Sequence, residues 1–270
     1  MIEVFQYDFM RRAFLTGVLI AVITPCIGLV VVLRRLSMMG DALSHNSLAG
    51  VAAGLVAGIN PVLGAIVFSI TAAFSIEKIR KAFPKYSEIA LAVIMSTGIG
   101  LAGILSGFVK NSASFSSFLF GSIVAINDFE LFMVLGLSAI VILAVVLLYK
   151  ELFYITFDEE AARLAGIPVG AVNFVFTLLT AVTISVSART VGTLVVSSLM
   201  VLPVAAAMQV AKSYRQTLIY AVAFALSFTI AGLIISFYAN FKPGGTIVLV
   251  GVAVFVSILL VKNVCKRGAA

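Results

Sequence analysis

Nine stretches of this chain contain no Asp, Glu, Lys or Arg: 13–33, 42–76, 89–109, 111–127, 131–149, 164–188, 190–211, 216–241 and 243–261. A helix needs about 20 mostly apolar residues to cross a bilayer, at a rise of about 1.5 Å each. Seven of the stretches have that length and one obvious span apiece. The 111–127 stretch is too short and too rich in Ser to count. The 42–76 stretch is long but broken by Asn60-Pro61, a turn signal, so it holds one span with an entrant segment or two short spans. The chain therefore reads as an all-α polytopic membrane protein with eight or nine transmembrane helices.

Composition closes off the other classes. Of 270 residues, 62% are hydrophobic, 18 are basic and 11 acidic. Soluble domains are about a quarter charged, and none could hide the apolar surface that a mean hydropathy of +1.21 implies. A soluble enzyme, a DNA-binding domain and a disordered chain are excluded. The dispersed basic residues also argue against a nucleic-acid partner; the net charge of +7 fits anionic lipid.

Cytoplasmic loops of membrane proteins carry an excess of Lys and Arg. Placing 77–88 (with Lys78, Arg80, Lys81 and Lys85), 150–163, 212–215 and the tail with Lys262, Lys266 and Arg267 inside accounts for 11 of the 18 basic residues. Lys110, Arg189 and Lys242 then fall outside. Nine spans put Arg34 and Arg35 inside and Arg11 and Arg12 outside; eight spans reverse them. Both give 13 against 5, so charge alone does not decide.

Glu3 and Asp8 in the first ten residues, followed by an apolar stretch long enough to span, do not suggest a cleavable signal peptide. Cys26 and Cys265 do not suggest a disulfide and read as inert thiols. The expected organisation is a single transmembrane domain over 1–270. No GxxxxGK[ST] phosphate loop occurs, so any ATP-driven step belongs to another polypeptide and the chain is not expected to be an enzyme.

Ionisable groups at membrane depth are functional candidates by default. The most informative stretch is Arg34–Gly54, which contains the only histidine, His45, and Asp41 four residues before it. On a helix these share a face, so a carboxylate and an imidazole can point into one cavity. The pair suits a divalent first-row cation such as zinc or manganese. Two ligands make a weak site, and a translocation path needs release as well as capture. The competing reading is an Asp–His hydrogen bond that ties helices together. Ser37, Gly40, Ser44, Asn46, Ser47, Gly50 and Gly54 would let backbones approach or line a wet cavity. Further ligands would have to come from oxygen or thioether side chains, carbonyls, water or a second subunit.

Phe157–Pro168 opens in an inside loop. Asp158 can cap a helix, Glu159 and Glu160 favour its N-terminal end, and Gly166 and Pro168 stop it. A short helix of about seven residues against the membrane is expected. It is either an ordinary interfacial turn or a docking element, with charged ends and a small apolar middle of Ala161, Ala162, Leu164 and Ala165.

Leu33–Ala52, reading LRRLSMMGDALSHNSLAGVA, resembles the signature segment of the permeases of zinc/manganese-type ABC importers. Asn46 stands where that family has a small residue. Val191–Ala207, reading VGTLVVSSLMVLPVAAA, resembles a second family span, with Val204 in place of Ala, and Phe9-Met10-Arg11-Arg12-Ala13 is similar to the usual opening. The resemblance runs from residue 9 to about 207. It implies a type II ABC importer-like permease, a dimer (most simply a homodimer), two cytoplasmic ATP-binding subunits and an extracytoplasmic metal-binding protein. It also implies Asp41 and His45 as metal ligands, with no permanently bound cofactor and a divalent metal ion as transported substrate. By the same resemblance 158–168 is the coupling helix, with Asp158, Glu159, Glu160, Ala161, Arg163, Leu164 and Gly166 facing the ATPase.

The expected mechanism is alternating access driven by the partner ATPases. A metal site needs the neutral imidazole, so transport is expected to fall below about pH 6.5, where free histidine titrates. A permease for a metal chelate such as a siderophore or cobalamin, or a proton-coupled secondary metal transporter, is the alternative. The choice among zinc, manganese and iron stays open. Four features carry less. Asp128 and Glu130, beside Ser122 and Asn127, read as an outer helix end that is solvated, faces a binding protein or attracts cations at the entry. Arg189 reads as a headgroup anchor or a contact for a docked protein. Met38, Met39 and Met200 read as packing. Asn240–Gly245 reads as a tight outer turn.

Overall fold

The computed structural model describes residues 6–83, 86–110, 112–121 and 127–267. Lys85, Asn111 and Ser122 lie outside the described residues, and of Cys265, Lys266 and Arg267 only the helical backbone is described. Among the described residues there are only helices and their connections. In order they are α1 (Asp8–Leu33), α2 (Met38–Ala57), α3 (Pro61–Ala82), α4 (Ser87–Ser106), α5 (Ser112–Phe120) and α6 (Asp128–Leu147). They continue with α7 (Tyr149–Phe157), α8 (Glu159–Leu164), α9 (Val169–Val191), α10 (Thr193–Val210), α11 (Tyr214–Ala239) and α12 (Pro243–Arg267).

Seven of these, α1, α3, α4, α6, α9, α11 and α12, are long and apolar enough to cross a membrane, and α10 contains a shorter apolar run. The remaining long helix is α2, whose 20 residues include Asp41, His45 and Asn46. The protein is a multi-pass membrane protein. The long 42–76 stretch resolves into two helices for a local reason. Gly58 closes α2 in the left-handed region at φ 69°, and the Asn60 side chain accepts the Val62 N–H at 2.9 Å with Pro61 at the first helical position.

Two ion pairs bear on the arrangement that charge counting leaves open. Arg34, just past α1, meets Glu159 of α8 at 2.9 Å. Arg12, near the start of α1, meets Asp128 at the start of α6 at 2.8 Å. The end of α1 therefore lies on the face that carries 150–163, and its beginning on the opposite face. That placement agrees with the nine-span reading, in which Arg34 and Arg35 share a side with 150–163 and Arg11 and Arg12 lie on the other, with α2 and α10 joining the seven long apolar helices.

The helices sort into a centre and a rim. α1 is the most enclosed of the long apolar helices, with α9 next, whereas α4, α6 and α12 present most of their length outward. α2 packs against α3, α4, α9 and α10. Its closest neighbour is α3: Gly50 and Gly64 approach so nearly that a Cβ on Gly50 would overlap the Gly64 carbonyl oxygen. The short α5 packs against α2, α9 and α10 rather than crossing.

Candidate functional site

α2 begins two helical turns before His45, and Asp41 lies in its first turn, where backbone N–H groups favour negative charge. Thirteen of its residues are buried, among them Met39, Gly40, Ala42, Leu43, Ser44, Asn46 and Ser47. In the half of the helix nearer the inside, Met38 is exposed and Asp41 and His45 are partly exposed. Their spacing of three and four residues makes them one stripe. It is the part of this half of α2 that the described residues leave least covered.

Neither Asp41 nor His45 makes a hydrogen bond or ion pair among the described residues, so the Asp–His tie that competes with a ligand role is not formed. Nor do the described residues contain a group of three or more His, Cys, Asp or Glu placed to hold a metal ion. The chain by itself thus offers a carboxylate and an imidazole on an open face. Met38 heads the same stripe, while Met39 and Met200 are buried as packing residues.

The buried faces of α2 fix the direction of that stripe. Asn46 donates from Nδ2 to the Ala42 carbonyl at 2.8 Å and to the Ile94 carbonyl of α4 at 2.9 Å. Gly98 leaves the room: a Cβ there would come within 2.7 Å of Asn46 Nδ2. Ser69 of α3 donates to the Leu43 carbonyl at 3.2 Å. On the third side, a Cβ on Gly40 would lie 3.1 Å from the Cβ of Ser197 in α10. Gly40 and Ser197 belong to the two segments that carry the family resemblance, so the fold brings those motifs into contact. On the buried side of α2, the hydroxyls of Ser44 and Ser47 have no hydrogen-bond partner among the described residues.

At the inner face, Asp158 caps α8 by accepting the Glu160 and Ala161 N–H groups at 3.0 and 2.9 Å. Gly166, at φ 82°, turns the chain out of the helix into Pro168 and α9. The helix is six residues long, against about seven expected, and has two faces. Ala162 is fully buried and Glu159 is held by Arg34, whereas Ala161, Arg163, Ala165 and Gly166 are exposed and Leu164 is 90% exposed. Ala162, expected in the apolar middle, therefore anchors α8 to the body instead.

The outer end differs from the sequence reading. Glu130 turns inward and is buried. It closes a capping box with Asn127 and accepts from Arg189 Nε at 2.7 Å. Arg189 also donates to Ser117 Oγ at 3.0 Å and lies over the Phe118 ring at 4.5 Å from its centroid. It is an internal tie joining α5, α6 and α9, not a headgroup anchor. The spacing of Asn127 and Glu130 carried a visible capping signature. Nothing local named Arg189 as the partner 59 residues away.

The geometry can be set beside known proteins. The model of the ABC 3 transport family matches residues 6–262. The chain belongs to the ABC 3 transport family. A "Probable metal transport system membrane protein" of Treponema pallidum is 38% identical over 96% of this chain and 97% of its own. The manganese transport system membrane protein MntC of Listeria monocytogenes is 33% identical over 93% of this chain and 89% of its own. Among solved structures, PsaBC from Streptococcus pneumoniae in complex with Fab superposes with a TM-score of 0.84 at 29% identity, covering 93% of this chain and 91% of that one. The fold as a whole is therefore that of an ABC 3 permease. This is a transport subunit for metal ABC systems, and it lies in the membrane.

Proposed function

We propose that this permease carries a divalent first-row metal ion, manganese or zinc, into the cell. The path lies between two copies of the chain, each contributing Asp41 and His45. The observation that carries this reading is the stripe Met38, Asp41 and His45. Two potential ligands on a packed helix are partly exposed and unpaired among the described residues, where a second copy can complete the coordination. Asp41 supplies negative charge, and His45 a neutral nitrogen. A carboxylate and an imidazole accommodate either metal, and the likeness to the Listeria protein named for manganese supports manganese as the first cargo to test.

ATP hydrolysis resides on separate cytoplasmic subunits. Of the residues expected to face them, Glu159 is turned toward Arg34, and Asp158, Glu160, Ala161, Arg163, Leu164 and Gly166 form the surface of α8 that they engage; a nearly fully exposed leucine on a charged turn supports docking there. An extracytoplasmic binding protein delivers the ion at the face that carries Arg12 and Asp128. The test is metal uptake in proteoliposomes that contain the permease, its ATPase and its binding protein. Wild-type uptake lost in Asp41→Ala and in His45→Ala, with assembly intact, is the expected result. Normal uptake in both variants would remove the path from this stripe. Competition between manganese and zinc in the same vesicles identifies the cargo.

A further inference from the structure

The turn between α1 and α2 touches the docking helix through Arg34 and leads directly into the first turn of α2, which carries Asp41. Arg34 donates from one guanidinium nitrogen to Glu159 at 2.9 Å and from another to Asn173 Oδ1 of α9 at 2.9 Å. Its side chain is 10% exposed, so the pair is shielded from solvent on the arginine side. Burial and the neighbouring Arg80 lower the affinity of Arg34 for its proton, and Glu159 and Glu77 oppose them. Arg34 is thus a buried cation among groups from α3, α8 and α9.

The turn has little slack. The Arg34, Arg35 and Leu36 N–H groups return to the Val30, Val32 and Val31 carbonyls at 3.0, 3.0 and 2.8 Å, and the Met39 N–H reaches the Leu36 carbonyl at 2.8 Å. Arg35 sits at φ 59°, a left-handed position that glycine fills more easily. Such a residue persists where its surroundings hold it there. Displacing Arg34 therefore moves the first turn of α2, and with it Asp41. On α8, Glu159 shares the inward face with Ala162, three residues on, and leaves the outward face to Ala161, Leu164 and Ala165.

We propose that the Arg34–Glu159 pair is a strut that ties the docking helix to the α1–α2 turn, so that movement of α8 repositions Asp41 and His45. Both are positioning residues, acting on the path through the backbone. The inference rests on the transport reading above, and adds the residues by which ATP hydrolysis reaches the cargo.

The experiment measures metal ions imported per ATP hydrolysed in the reconstituted complex for wild type, Arg34→Gln, Glu159→Gln and the double variant. Co-purification of the ATPase is scored alongside. Each single variant is expected to lower the ratio on the order of tenfold while the ATPase still co-purifies, and the double to be no worse than the worse single, as for two halves of one contact. Glu159 lies on a partly exposed turn, so Glu159→Gln reports even where Arg34→Gln fails to insert. A wild-type ratio in Glu159→Gln overturns the strut, as does a double whose loss is the product of the singles. So does loss of ATPase co-purification in Glu159→Gln alone, which would place Glu159 on the docking surface. These outcomes leave wild-type uptake intact. Absence of ATP-dependent uptake by the wild type would instead overturn the transport reading, and the strut with it.

Discussion

α2 and α12 are both long helices of the same bundle, of 20 and 25 residues, and they meet opposite surroundings. α12 is apolar enough to cross a bilayer unaided and presents most of its length outward. α2 carries Asp41, His45 and Asn46, falls short of a membrane span by hydropathy, and is enclosed on most sides by α3, α4, α9 and α10. Hydropathy measures what a helix can show to lipid. A helix sheltered by its neighbours is released from that requirement, and only such a helix can carry polar chemistry through the membrane.

The largest effect should therefore come from the α2 stripe. Asp41→Ala is expected to reduce metal uptake by about 100-fold or more, since lesser changes around a metal ligand already cost about 10- to 100-fold. The protein should remain assembled, because Asp41 has no partner to lose among the described residues. A matched change on α12, Leu249→Ala at a position 71% exposed, should leave uptake within about twofold. Parallel uptake assays check the contrast, and equal losses would break it.

Packing comes next. Gly50→Ala places a methyl group against the Gly64 backbone, where no flexible side chain can yield. Overpacking of this kind costs about 2 kcal/mol, and here it would push α2 away from α3. Thermal unfolding of the detergent-solubilised permease should show a clear drop. Gly245→Ala at the start of α12, where a Cβ meets nothing within 4 Å, should not.

A smaller effect belongs to Asn46. Asn46→Ala removes the hydrogen bond to Ile94 in α4 and leaves that carbonyl dependent on its helical partner alone. The expected loss is about 1 kcal/mol in the same unfolding assay. Asn46→Ser should recover part of it, if the hydroxyl can reach the Ala42 carbonyl of its own helix.

How far these contrasts were legible in the sequence depends on the range of the interaction. The spans followed from charge-free stretches, and the α2–α3 break from Asn60-Pro61, because turn chemistry is local. α8 was legible for the same reason: Asp158 caps it and Gly166 ends it within eight residues. The Asp41–His45 stripe was visible as an i, i+4 pair. Its exposure was not, since that depends on which neighbours cover the other faces. The ambiguity between eight and nine crossings had a definite cause: moving Arg11 and Arg12 against Arg34 and Arg35 exchanges equal charges. Only long-range pairs, Arg12 with Asp128 and Arg34 with Glu159, bear on it. The Arg189–Glu130 tie was hidden likewise, because a lone arginine between spans does not name its partner.

The smallest effect is expected at Gly136 in α6, which sharpens the comparison at its outer limit. Gly136 is exposed, and a Cβ there would meet nothing within 4 Å. Gly136→Ala adds no contact, and alanine is the better helix former by about 1 kcal/mol in an exposed helix interior. In a bundle already held by its neighbours most of that gain should be muted, so the unfolding midpoint should stay level or rise slightly. Uptake should be unchanged. A fall in either quantity would mean that this face of α6 packs closely on another protein surface, where one methyl group is felt. The first partner to test would be a second copy, by crosslinking from cysteines placed at Phe132 and Leu143 on the same outward side.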